Sequence, residues 1–309
     1  MNDERLEEFD GLPVVEIEGG IEADVERLPA PGDAAWGVYP GARGWTSFDA
    51  GHAFDWLLEN VDTTRITHLV IGWWDGPGAP GEIAARADVF PRLRALYLGD
   101  IPEQEISWIG HGDISPIFAA FPELERLEVQ GVGDLGPEPV RSESLRVLRF
   151  ESGGLPAGVV RAVAAGDCHG SSTRTVARGR RVRRRRDRTR PRADPRGERL
   201  PALRHLGLQD SVVQDDIAEA VAGAPVVARL ESLSLAMGTL SDRGAEALLS
   251  GQPLTHLRKL DLNHHFISEP LMERIRAELP GVDIDLGLPG GETLGDGWPP
   301  DGFYVAVSE

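Results

Sequence analysis

Seven segments of this chain share one spacing: an apolar residue, two others, Leu or Ile, one other, and an apolar residue again. They are Ile66/Leu69/Ile71, Leu93/Leu96/Leu98, Leu124/Leu127/Val129, Leu145/Leu148/Phe150, Leu203/Leu206/Leu208, Leu230/Leu233/Leu235 and Leu257/Leu260/Leu262. Their first residues lie 27, 31, 21, 58, 27 and 27 positions apart. In an extended strand, successive side chains take opposite faces. The last two apolar residues of each motif therefore share a face, and the residues around them take the other. One such unit cannot bury its own apolar face, so neighbouring units must stack.

A repeat of about 20–29 residues built on this core is the leucine-rich-repeat pattern. It predicts an α/β fold, a leucine-rich-repeat solenoid with a parallel concave sheet and helices on the convex side. The intervening segments read as those helices. Ser241 or Asp242 suits an N-cap, and Ala245, Leu248 and Leu249 follow at helical spacing. Ile217, Ala220 and Val221 form one face after Ser211. Leu271, Ile275 and Leu279 form another after Ser268, and Pro280-Gly281 stops it. Residues 114–120 and 155–165 read as shorter helices. A fold of this kind points to binding and leaves the ligand unnamed.

The interval of 58 is twice 29, so one repeat lacks its motif. In its place lies Cys168 to Glu198, with 12 Arg, 2 Asp, 1 Glu and no Leu. That segment carries +9 in a chain of −18, leaving −27 on the rest. Three readings compete: a basic insert for an anionic partner, a disordered loop, or a stretch translated in the wrong frame. Lys259 is the only lysine beside 31 arginines, a usage expected of GC-rich coding DNA. The length match, the compositional break and the resumption of the repeat at Leu203 favour the frame reading.

Several strings resemble an uncharacterised bacterial family of leucine-rich-repeat proteins. They are Gly99-Asp100-Ile101, Glu105-Ile106-Ser107-Trp108-Ile109, Leu148-Arg149-Phe150-Glu151-Ser152-Gly153-Gly154-Leu155-Pro156, Leu206-Gly207-Leu208-Gln209-Asp210-Ser211 and Tyr304-Val305-Ala306-Val307-Ser308-Glu309. The string Leu240-Ser241-Asp242-Arg243-Gly244-Ala245-Glu246-Ala247-Leu248 resembles the helix start of the ribonuclease-inhibitor-like repeat class. The likeness spans nearly the whole chain except 168–198. Members of that family are often encoded near radical-SAM and ATP-grasp proteins. The resemblance implies an accessory or interaction role in a modification pathway, with no catalytic residues to transfer.

The organisation expected is an N-terminal cap at 1–60, a solenoid at 61–286 broken at 168–198, and a linker with a final strand at 287–309. Trp36 to Tyr39 is expected as a first edge strand, and Phe54, Leu57 and Leu58 mark a covering helix. Met1-Asn2-Asp3-Glu4 has no basic start of a signal peptide, and no apolar run approaches a membrane span. A cytoplasmic protein is expected. One cysteine allows no internal disulfide. The acidic excess disfavours nucleic acid and anionic membrane as partners.

Outward strand positions nominate a surface for a protein or peptide: Tyr97, Arg126, Glu128, Arg149, Glu151, His205, Gln209, Lys259, Asp261 and Asn263. The expected function is a non-enzymatic scaffold that needs no cofactor and no metal. A metal-dependent enzyme centred on Asp261, His264 and His265 is the alternative, since those types ligate metals. A frame-shifted copy without function is a further one. Trp73, Trp74 and Trp108 read either as binding anchors or as packing. No phosphate loop, His-Glu-x-x-His or nucleophile elbow is present.

Overall fold

The computed structural model describes residues 5–18, 27–39, 47–72, 79–101, 109–135, 140–164, 200–289 and 302–307. Its centre is one open sheet of eleven strands: β1 (Glu8–Phe9), β2 (Leu12–Glu18), β3 (Ala35–Tyr39), β4 (His68–Ile71), β5 (Ala95–Leu98), β7 (Arg126–Gln130), β9 (Val147–Glu151), β10 (His205–Gln209), β11 (Ser232–Ser234), β12 (Lys259–Asp261) and β13 (Asp283–Asp285). They stand side by side in chain order. Two strands, β6 (Gly110–Asp113) and β8 (Val132–Asp134), form a small separate pair. Only β1 with β2 is antiparallel within the large sheet.

The motif leucines set the register. Leu69, Leu96, Leu127, Leu148, Leu206, Leu233 and Leu260 stand opposite one another in an unbroken ladder. Trp36 extends it at one end and Ile284 at the other. Like side chains stacked at one level fill the core in layers, which is how each unit buries the face it cannot bury alone. Helices α1 (Ser47–Asn60), α2 (Ala79–Ala85), α3 (Pro116–Ala120), α4 (Ala157–Ala164), α5 (Gln214–Ala222), α6 (Asp242–Ser250) and α7 (Glu269–Glu278) contribute to the same apolar cluster. Phe54 and Leu57 of α1, Ile217 and Val221 of α5, and Leu248 and Ile275 behind them meet the ladder leucines there.

Helix α6 starts where its sequence says it should. The Ser241 hydroxyl accepts the Arg243 N–H at 3.3 Å and donates to Asp215 of α5 at 2.6 Å. The other Asp215 oxygen accepts the N–H groups of Ser241 and Gly244. One carboxylate thus joins two successive repeats at a helix N-terminus, where negative charge is favoured. Ser241→Ala is expected to cost about 1 kcal/mol in urea unfolding, the usual worth of a cap.

Two expectations change. The strand at Trp36 is interior, because the unpredicted hairpin β1–β2 precedes it in the sheet. Residues 302–307 pack against the molecule as irregular chain rather than as a strand. Strands β9 and β10 pair directly, Leu148 opposite Leu206, across the interval of 58. The segment 168–198 itself lies outside the described residues, as do Trp73, Trp74 and Trp108.

Candidate functional site

The ladder that buries one face presents three rows on the other. The middle row runs Glu16, Gly37, Val70, Tyr97, Glu128, Arg149, Gly207, Ser234, Asp261 and Asp285 from β2 to β13. It falls into three zones of different chemistry.

The first zone, over β3 to β5, is apolar and covered. The hairpin β1–β2 turns at Asp10-Gly11, both with positive φ, the two-residue turn whose twist matches its strands. It lays Phe9 over the sheet. Phe9 packs with Ala35, Tyr39, Val70, Ala95 and Tyr97, its ring edge-on to Tyr97 at 5.7 Å. Arg5 stacks over the Tyr39 ring at 4.2 Å and pairs with Glu16 and Glu18. The Leu6 N–H donates to both oxygens of Asp100, which also accepts the Tyr39 hydroxyl. Tyr97, nominated as a partner contact, faces outward as expected but is 7 % exposed, beneath Phe9. The correction is physical: an outward row rich in Val, Ala and Tyr is itself a face requiring cover.

The second zone is an ion ladder. Arg126 bonds Glu128 at 2.5 Å and Asp10 at 2.9 Å. Arg149 reaches Glu128 at 3.2 Å, Glu151 at 2.6 Å and Gln209 at 2.6 Å. Burial works against the Arg149 charge, but Glu151 and Glu128 outweigh it and raise its pKa. Burial raises the pKa of Glu151, with Arg149 opposing. Glu128, Glu151 and Gln209 are buried, and their fixed partners are Arg126, Arg149 and Ser234 on the same face.

The third zone, from β10 to β13, is open and polar. His205 bonds Ser232 at 2.8 Å, and burial lowers its pKa. Gln209 donates to Ser234, and Ser234 to Asp261 at 2.9 Å. Lys259, Asn263 and Asp283 are exposed. Of the nominated residues, Lys259 and Asn263 are exposed, Arg126, Arg149, His205 and Asp261 are half-buried, and Tyr97, Glu128, Glu151 and Gln209 are buried.

The metal centre proposed at Asp261, His264 and His265 does not assemble. Asp261 accepts from Ser234 and from the Asn263 N–H. His264 donates through Nε2 to the Tyr304 carbonyl at 2.9 Å. His265 accepts the Ile267 N–H at Nδ1 and faces the Leu286 carbonyl with Nε2. Burial depresses its pKa to about 4, so the ring is neutral and fixed in one tautomer. Among the described residues no three His, Cys, Asp or Glu side chains converge on a metal position.

No protein-family profile and no curated protein matches this chain. A crystal structure of a protein from Bacteroides fragilis does, with a TM-score of 0.54 and 22% identity over 82% of this chain and 72% of that one. The likeness is one of fold. No described helix is long and apolar enough to cross a membrane.

Sequence reasoning missed Phe9, Asp10, Asp100 and Asp210. Asp10-Gly11 between apolar runs was a readable hairpin signal. The two buried aspartates lie in the resemblance strings Gly99-Asp100-Ile101 and Leu206 to Ser211, but no pattern there marked a role for them.

Proposed function

We propose that this chain is a non-catalytic leucine-rich-repeat scaffold that binds a protein through an extended segment laid on its outward, concave sheet face. The observation that carries the reading is intramolecular. Residues 5–10 lie on that face with an aromatic anchor in an apolar pocket and a carboxylate on Arg126 and His68. They are a worked example of how the face takes such a segment. The apolar zone is covered by them and the charges of the ion ladder are paired with one another, so the open zone from β10 to β13 is left for a partner. Its hydroxyls, Lys259, Asn263 and the carboxylates of Asp261, Asp283 and Asp285 suit a polar segment bonded across several strands.

The test is a displayed-peptide selection on the whole protein. Lys259→Glu and Asn263→Arg, both at exposed positions, are expected to weaken the selected peptide by about tenfold each. Their melting temperature should not change. Selected peptides indifferent to both substitutions would overturn the reading.

A further inference from the structure

Residues 302–307 cross the ends of β12, β11 and β10 in turn. The Tyr304 carbonyl accepts from His264 at 2.9 Å, the Ala306 N–H donates to the Met237 carbonyl at 2.8 Å, and the Val307 N–H donates to Asp210 Oδ1 at 3.0 Å. His264, Met237 and Asp210 are 27 residues apart, each at positive φ (57, 68 and 59°) just past a strand. Non-glycine residues take this conformation at a cost, and here the same turn recurs along one edge. The repeat thereby lines up polar groups that read the main chain of an extended segment. Val305 is buried, and Phe303 stacks on Phe266 at 4.6 Å. Phe303 and Tyr304 nevertheless stay 45% and 46% exposed.

The fit is incomplete at one atom. Asp210 is wholly buried, yet its Oδ2 has no hydrogen-bond partner among the described residues. Asp100, past the end of β5, is the contrasting case: its two oxygens accept the Leu6 N–H and the Tyr39 hydroxyl. A buried carboxylate oxygen left without a donor is costly. Glu151, at the end of β9 and itself paired with Arg149, adds to the negative surroundings of Asp210. Such a place favours a cation.

We propose that this edge groove is a peptide-binding site, that residues 302–307 occupy it as a tethered stand-in, and that its partner is an extended segment carrying aromatic residues and a Lys or Arg that reaches Asp210 Oδ2. The state of Asp210 agrees. Burial, with Glu151 behind it and the N–H groups of Val307 and Ala306 opposing, pushes its pKa to about 7. A Lys or Arg brought to Oδ2 would favour the ionised carboxylate and oppose that shift.

The test uses the full chain with Val305→Asp, which empties the groove, and two labelled peptides. One copies residues 302–309, and the other has lysine in place of Val307. The lysine peptide is expected to bind about tenfold more tightly. Asp210→Asn should erase that advantage, and the unaltered chain should bind both peptides more weakly because its own segment competes. A chain with Phe303 and Tyr304 both replaced by alanine empties the groove by a second route and should behave alike. A lysine peptide no tighter than its parent, an advantage that survives Asp210→Asn, or equal binding by the unaltered and emptied chains would each overturn the proposal. The first of these would mean that water alone serves Oδ2.

Discussion

Replacing Phe9 by alanine is expected to lower the unfolding free energy by about 3 kcal/mol, the lower end for a buried phenylalanine. The lower end applies because residues 5–12 can peel away rather than leave an empty cavity. Phe9 is the apolar anchor of that segment, and its neighbours Val70, Ala95 and Tyr97 are themselves outward sheet residues. The variant should therefore uncover them. Urea unfolding measures the loss, and increased binding of an apolar dye reports the bared face. A cost under about 1 kcal/mol, with no added dye binding, would show that Phe9 does not cover the sheet.

Arg149→Ala is expected to cost about 2–3 kcal/mol. Breaking a buried ion pair from one side costs about 3–5 kcal/mol. Here 37% of the Arg149 side chain is exposed, which weakens the pair and sets the lower figure. The substitution leaves Glu151 buried without its cation, while Glu128 keeps Arg126. Glu151 already has a raised pKa through burial, with Arg149 opposing. Without Arg149 that pKa rises further. A carboxyl raised in the folded state contributes stability at low pH and loses it as pH climbs through its folded value. The variant's deficit should therefore be larger at pH 8 than at pH 5. An equal deficit at both would mean that lost packing, not stranded charge, is the cause.

Most of the sheet was legible because one side-chain level does most of the work. Each motif leucine stands opposite the next, so spacing alone placed β4, β5, β7 and β9 to β12. The period-two rule also sorted the faces correctly, sending Leu98 to the core and Tyr97 out of it. It could not say whether an outward face is wet. Tyr97 is dry because a segment almost ninety residues upstream folds over it, and no local pattern records such a contact. Strand β2 escaped for a related reason. Its core face carries Val15 and Ile17, and its outward face mixes Val14 with Glu16 and Glu18, so it lacks the Leu-x-Leu signature. Asp210 and Asp100 look like ordinary turn residues in sequence. Their role arises only when chain ends remote by 97 and 94 positions reach them. His264 and His265, which carried the alternative metal reading, are each given by the fold to a backbone carbonyl.

The most direct test of the central claim is hydrogen exchange of the whole protein with and without a selected peptide. A segment laid on the outward face should slow exchange at residues 205–209, 232–236, 259–263 and 283–287, which form the open zone. The helices α4 to α7, on the opposite face, should be unchanged. Protection confined to those helices, with the strands β10 to β13 unaffected, would contradict the account.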